Sequence, residues 1–92
     1  MEKETSTSKK LLIEEFTRLS DLIKSKYGVS LWLVEIMGKR HSYVAGHKEE
    51  SFLPPQVIYL NERFAIVSNN WDKIPEKEKK KLINHLKKFS GT

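Results

Sequence analysis

The fold of this chain is decided between residues 23 and 37, where the sequence reads IKSKYGVSLWLVEIM. Gly28 divides this stretch into two parts with different apolar periods. Before Gly28, apolar residues recur every three or four positions, which predicts a helix; they are Leu12, Phe16, Leu19, Ile23 and Tyr27. After Gly28, residues 29–37 are mostly β-branched, aliphatic or aromatic, which predicts a strand. Because glycine adopts a positive φ without a Cβ clash, we expect Gly28 to end the helix.

Helical spacing returns near Pro75, and the region between the two helices contains four predicted strands. We expect these strands at about 29–37, 41–46, 56–60 and 63–68. Pro75 suits the first position of the second helix, whose apolar residues are Leu82, Ile83, Leu86 and Phe89. The order α-β-β-β-β-α predicts an α+β fold, with an antiparallel sheet of about four strands flanked by N- and C-terminal helices. Residues 1–92 are expected to form one domain, with residues 1–7 flexible.

The first strand carries apolar residues on both of its faces, which predicts a central strand. Residues 41–46 form a weaker predicted strand, in which Tyr43 and Ala45 alternate with Ser42 and Val44, and this strand is expected at an edge of the sheet. The strands 56–60 and 63–68 flank a predicted two-residue turn at Asn61-Glu62, and they too are apolar on both faces. The second face of the sheet therefore needs a cover. A partner subunit, a ligand or one helix on each face would supply it, and a homodimer requires the fewest assumptions.

The composition excludes several classes of protein. The 92-residue chain has no cysteine, which excludes a disulfide, a thiolate metal site and a catalytic thiol. Its first residues lack the apolar core of a secretion signal, and its longest unbroken apolar runs, such as residues 31–34, have four residues and are too short to span a bilayer. These features predict a cytoplasmic protein without a membrane span. Lysine and glutamate dominate the charged residues, a bias that is typical of thermophile proteins.

The net charge of +5 is concentrated at the C-terminal end of the chain. Residues 73–92 contain seven lysines and two glutamates, whereas the rest of the chain has ten basic and ten acidic residues. Five lysines are expected opposite the apolar residues of the second helix: Lys77, Lys80, Lys81, Lys87 and Lys88. Such a surface can bind phosphates, with Trp71, Tyr43 and Trp32 available for base stacking, or it can be an ordinary solvated surface. No sequence pattern for base readout supports the first alternative.

Glu35 is the most unusual residue of the first strand, because it is a carboxylate in an otherwise apolar segment. It is a candidate ligand-binding residue together with Trp32 and Tyr43, or an acid whose pKa is raised in a pocket. The alternative is an ion pair within the sheet; the nearby cationic residues are Arg40, His41 and Arg63. We favour the ion pair, which predicts a lowered pKa for Glu35.

The histidines form no recognised metal motif. His41 and His47 are the nearest candidates for metal ligands, but they lie at opposite ends of a predicted strand, roughly 20 Å apart when extended. His85 lies in the second helix. The chain also lacks a GxSxG elbow, a GxGxxG motif and a P-loop. We therefore predict no bound metal, no cofactor and no catalytic residue.

Both ends of the chain resemble sensor domains. The segment Leu22-Ile23-Lys24-Ser25-Lys26-Tyr27-Gly28-Val29-Ser30-Leu31-Trp32-Leu33 is similar to the helix-to-first-strand entry of GAF and PAS domains. The segment Arg63-Phe64-Ala65-Ile66-Val67-Ser68, followed by Ile74-Pro75-Glu76-Lys77-Glu78 and a leucine-rich helix, is similar to the end of GAF domains. The resemblance implies a minimal profilin-like module, close in size to roadblock-type dimerisation domains. The middle of the chain is shorter than in a full GAF or PAS domain, and no cofactor-binding residue carries over.

The sequence thus favours a small homodimeric interaction or regulatory-sensor module without enzymatic activity, to which a further protein can bind. The alternative is a nucleic-acid-associated protein that uses the lysines of its C-terminal helix. A third hypothesis is a small hydrolase or a metal-binding protein.

Overall fold

The computed structural model describes residues 2–51 and 53–89, with residues 2–8 described by their backbone alone. In chain order the elements are α1 (Glu2–Tyr27), β1 (Leu31–Met37), β2 (Arg40–Gly46), β3 (Gln56–Tyr59), β4 (Phe64–Ser68), a 3₁₀ helix (Trp71–Lys73) and α2 (Glu76–Lys87). The predicted order α-β-β-β-β-α and the α+β class are confirmed. Neither described α-helix combines the length and the apolar composition needed to cross a membrane.

The first helix ends where the sequence predicts, at the residue before Gly28. Gly28 has a φ of 69°, and its N–H donates to the carbonyl oxygen of Lys24 at 2.9 Å, which closes the last turn of α1. At the other end α1 begins at Glu2. Residues 2–7 have a helical backbone, and Met1 lies outside the described residues. The flexibility of residues 1–7 stays a prediction.

The four strands form one antiparallel sheet in the order β2-β1-β4-β3. The central position of β1 and the edge position of β2 are both confirmed. β1 begins at Leu31, two residues later than predicted, because Leu31 pairs with Ser68 and Ser68 is the last residue of β4. Residues 29 and 30 therefore have no strand partner on that side and form the connection from α1.

A β-bulge in β2 decides which face of the sheet Tyr43 occupies. Leu33 pairs with Ala45, whereas the next residue, Val34, pairs with Tyr43, so Val44 is the extra residue. Residues that pair across antiparallel strands share a face, so Tyr43 lies on the same side as Val34. Without the bulge, Val44 would occupy that position instead.

The connection between β3 and β4 is longer than the predicted two-residue turn. It comprises residues 60–63, so the prediction of a tight turn at Asn61-Glu62 is wrong. The side-chain oxygen of Asn61 accepts hydrogen bonds from the N–H groups of Arg63 at 2.7 Å and Phe64 at 2.8 Å. These bonds stabilise an asparagine-centred turn that holds the longer connection.

Both helices pack against the same face of the sheet. The larger apolar cluster joins α1, α2 and this face through buried side chains that include Leu12, Phe16, Ile23, Leu31, Leu33, Phe64, Ile66, Leu82 and Leu86. The helices run antiparallel, since Glu15 of α1 contacts His85 near the end of α2, whereas Lys26 lies 4.0 Å from Glu78 near its beginning. One helix on each face, an alternative left open by the sequence, is therefore excluded for the described helices.

The opposite side of the sheet, here called the outer sheet face, carries a second apolar cluster. Its buried members are Trp32, Val34, Ala65 and Val67, and the partly buried Ile36 and Val57 pack against them. No helix in the described part of the chain lies over this cluster. Its buried members are nevertheless at most 5 % exposed. The centre of the outer sheet face is thus packed, and only its margins contact solvent.

Candidate functional site

The structure divides the three predicted ligand-binding residues between the two faces of the sheet. Trp32 belongs to the outer sheet face, and Tyr43 lies on that side too because it pairs with Val34. Glu35 lies on the helix side, where its carboxylate contacts Lys9 of α1. Trp32 and Tyr43 can therefore contribute to one surface, but Glu35 does not join them.

Both oxygens of the Glu35 carboxylate bind cations. Nζ of Lys9 donates to Oε1 at 2.9 Å, and Nε of Arg63 donates to Oε2 at 2.7 Å. The hydrogen bond from Lys9 is the largest effect on the pKa of Glu35 and lowers it; partial burial opposes this, and the bond from Arg63 lowers the pKa further. The predicted ion pair with a lowered pKa is confirmed, and of the three cations that the sequence offered, Arg63 is the observed partner.

The sequence named Arg63 as one of three possible partners of Glu35, and it did not predict Lys9. Arg63 directly precedes Phe64, which pairs with Glu35 across the sheet, so the strand register brings the two charges together. Lys9 belongs to α1, and its position over β1 depends on how the helix packs against the sheet. That geometry has no signal in the local sequence. Glu35 therefore connects the first half of α1 to the beginning of β4.

A Glu35→Gln variant is expected to lose about 1 kcal/mol of unfolding free energy at neutral pH, the usual scale for one modest polar interaction. Because folding lowers the pKa of Glu35, its stabilisation is present above the unfolded-state value of 4.5 and is lost as the pH falls through the folded-state value. Urea unfolding at several pH values measures this difference. Glu14→Gln, at an exposed position of α1, is the control and should change stability by under about 0.5 kcal/mol. A more stable Glu35→Gln protein, or a Glu35 carboxyl that titrates above its usual range by NMR, would contradict the ion-pair account.

Aromatic side chains flank the outer sheet face at both of its edges. One row across the sheet consists of Tyr43, Val34, Ala65 and Tyr59, contributed by β2, β1, β4 and β3 in that order. Tyr43 is 49 % exposed and Tyr59 is 59 % exposed. The ring of His41 meets the ring of Tyr59 edge to face, with their centroids 6.4 Å apart. A packed apolar centre with exposed aromatic margins has the composition found at protein interfaces.

The three histidines lie apart from one another. Nε2 of His47 is 2.6 Å from Oδ1 of Asp21, and Nε2 of His85 is 2.9 Å from Oε1 of Glu15. His41 lies near the other end of β2, as the sequence predicts. Within residues 2–51 and 53–89, no group of three or more histidine, aspartate or glutamate side chains is placed to hold a metal ion.

Five exposed lysines, four in α2 and one at the C-terminal cap that follows it, lie on the side that faces away from the core. This surface, here called the lysine face, consists of Lys77, Lys80, Lys81, Lys87 and Lys88. Leu82 and Leu86, on the opposite side of the helix, are buried. One further lysine of α2, Lys79, is not part of the lysine face, because its Nζ lies 5.8 Å from the ring centroid of the buried Trp71. The predicted arrangement of the five lysines is therefore observed.

A groove between the two helices is a feature that the sequence analysis missed. The α1–α2 groove encloses about 480 Å³ and is open to solvent. Its apolar lining consists of Leu19, Leu22, Ile23 and Leu82, and its basic lining consists of Arg18, Lys81 and Lys88. The sequence contains one signal for it, since Leu22 is an apolar residue outside the core period of α1. Which helix would lie beside Leu22 depends on tertiary packing.

Comparisons of the chain with known protein families, curated proteins and solved structures found no match. The resemblance to GAF, PAS and roadblock-type domains therefore stays a hypothesis and assigns no site residue to this chain. The interpretation of the lysine and glutamate bias as thermophilic also stays a prediction. A function must be argued from the outer sheet face, the lysine face and the α1–α2 groove themselves.

Proposed function

We propose that this protein is a small, non-enzymatic interaction or regulatory-sensor module that forms a homodimer through the outer sheet face. The observation that carries the proposal is an apolar cluster on a sheet face over which no described helix lies. Tyr43 and Tyr59 present large exposed rings at the margins of this cluster. Tyrosine is among the residues that contribute most to binding energy when an interface excludes water. The proposal includes the cytoplasmic location predicted from the sequence.

Charge does not oppose a second copy as the partner on this face. The chain has a net charge of +5, so the lysine faces of two copies repel each other. The apolar cluster of the outer sheet face and the two flanking tyrosines contain no charged side chain. Two copies can therefore bury this face without bringing like charges together. A two-fold interface uses the same patch on both subunits, which suits a face with an aromatic residue at each edge.

Sedimentation equilibrium tests the proposed assembly. A stable interface buries roughly 800 Å² on each subunit, and the isolated chain has 6371 Å² of accessible surface. A dimer would therefore bury about an eighth of the surface of each subunit. We expect the measured mass to rise from one chain to two as the protein concentration increases through the micromolar range. A mass of one chain at every concentration, with no retained ligand, would contradict the proposal.

The lysine face supports a second candidate function, binding to nucleic acid. Four of its members form no ion pair within the described part of the chain: Lys77, Lys80, Lys81 and Lys88. All five ammonium groups project from one side of a single helix and its C-terminal cap, so they can contact successive phosphates. The competing explanation is that a lysine-rich surface keeps a small domain soluble.

Replacing Lys80, Lys81, Lys87 and Lys88 with glutamine separates these two explanations. If the lysine face binds phosphates, the wild-type protein should be retained on a heparin or DNA column at low salt, and the variant should not. A control with the same net charge replaces exposed residues elsewhere with glutamine: Lys10, Lys39, Arg40 and Lys48. This control should still be retained. Wild-type protein that passes through the column at low salt would mean that the lysine face is only a solvated surface.

A further inference from the structure

The α1–α2 groove has the length and the lining of a helix-binding site. The two antiparallel helices contact each other through Glu15 with His85 and through Lys26 with Glu78. On the α2 side the lining of the groove runs from Glu78 to Lys88, roughly 15 Å or about three turns. The floor of the groove is apolar, and Leu22 within it is 53 % exposed. A third helix that lies along two antiparallel helices covers such a floor with residues spaced i, i+3, i+4 and i+7.

The charges around the apolar floor are mostly positive. The titratable lining residues are three cations, one histidine and one carboxylate: Arg18, Lys81, Lys88, His85 and Glu78. Three of these five residues have local partners, because Arg18 and His85 both bind Glu15 and Glu78 lies 4.0 Å from Lys26. The two lysines of the lining have no ion-pair partner within the described part of the chain. A bound helix with carboxylates beside its apolar stripe would complement them.

We propose that the α1–α2 groove binds an amphipathic helix of a partner protein, with glutamate or aspartate residues flanking its apolar stripe. The apolar stripe covers Leu19 and Leu22, and the carboxylates reach Lys81 and Lys88. The groove lies on the helix layer, whereas the outer sheet face lies on the other side of the sheet. The proposal is therefore independent of the homodimer, and each can fail without the other.

A synthetic peptide tests the groove directly. The probe is a fluorescein-labelled helix of about five turns, with leucines spaced i, i+3, i+4 and i+7 and glutamates along both flanks. One control peptide has the same composition in scrambled order, and a second has lysine in place of every glutamate. By fluorescence anisotropy, we expect the ordered acidic peptide to bind at least about tenfold tighter than either control. NMR shift changes should map to residues 18–23 and 78–88.

Matched variants locate the binding surface. Leu22→Gln should weaken binding of the acidic peptide by about tenfold, because it removes an exposed apolar contact from the floor of the groove. Leu11→Gln is the control, since Leu11 is a similarly exposed leucine of α1, at 48 %, that does not line the groove. It should bind the peptide as the wild-type protein does. Glutamine is a good helix former, so both variants should keep the fold.

Three results would overturn the proposal. Equal binding of the ordered and scrambled acidic peptides would mean attraction by charge alone. Equal weakening by Leu22→Gln and Leu11→Gln would place the binding surface elsewhere on α1. Binding to phosphatidylserine vesicles that depends on Leu22, without binding to the peptide, would make the groove a membrane contact instead.

Discussion

A Gly46→Ala variant is expected to lose about 3 kcal/mol of unfolding free energy, since it combines backbone strain with overpacking. Gly46 ends β2 with a φ of 105°, which residues with a Cβ rarely adopt. A Cβ at this position would lie 2.5 Å from the carbonyl oxygen of Leu31 and 2.7 Å from Cε2 of Phe16. The first obstacle is strand backbone and the second is a fully buried ring, so neither moves cheaply.

Gly38→Ala is the matched control for this prediction. Gly38 also has a positive φ, 65°, but a Cβ there would have no heavy atom within 4 Å. This variant should lose about 1 kcal/mol, the cost of the left-handed backbone alone. Guanidinium unfolding followed by tryptophan fluorescence measures both variants. Equal losses would contradict the close approach of α1 to the end of β2.

Replacing both Tyr43 and Tyr59 with lysine is expected to raise the dissociation constant of the homodimer by about 100-fold or more. The substitutions remove two aromatic contacts from each subunit and add like charges to both sides of the interface. The fold should survive, because both residues are exposed on edge strands, where lysine is well tolerated. The hydroxyl of Tyr43 donates to the carbonyl oxygen of Gly46 at 2.8 Å, so thermal unfolding should also record a loss of about 1 kcal/mol.

The control for the interface is the double variant Leu11→Lys and Leu22→Lys. It replaces two similarly exposed apolar residues and adds the same charge, but on the helix layer. Sedimentation velocity over a range of concentrations should show that this control dimerises as the wild-type protein does. If both double variants weaken the dimer equally, the outer sheet face is not the interface.

Local sequence features predict the parts of the fold that depend on local physics. The change of apolar period at Gly28 predicts the end of α1, since the glycine adopts the positive φ that a helix terminus uses. The two-sided apolar pattern of β1 predicts its central position in the sheet. The pairing of Glu35 with Arg63 follows from strand register once β1 and β4 are placed side by side.

Features that depend on tertiary packing are not predictable in the same way. Each helix has one apolar stripe, and a stripe fits either face of a sheet that is apolar on both sides. The sequence therefore leaves open which face α1 and α2 cover. The turn at residues 60–63 differs for another reason: Asn61 suits both a two-residue turn and a longer turn held by its side chain.

The candidate surfaces differ in the same way: a surface formed by one element is predictable from the sequence, whereas a contact between two elements is not. The lysine face is predicted from helical period alone, because all its members belong to one helix and its C-terminal cap. The α1–α2 groove and the contact between Lys9 and Glu35 each need two elements in a definite relative position. Helical spacing within α1 indicates that Leu22 lies outside the apolar stripe that faces the core. The residues of α2 that lie beside Leu22 are known only from the fold.

The central claim, that a second copy covers the outer sheet face, is tested most directly by isotope-filtered NMR on a mixture of labelled and unlabelled chains. This measurement detects only contacts between different copies. In the proposed dimer, we expect such contacts from the rings of Tyr43 and Tyr59 to the methyl groups of Ile36 and Val57. The absence of contacts at this face, or contacts confined to α1 and α2, would contradict it.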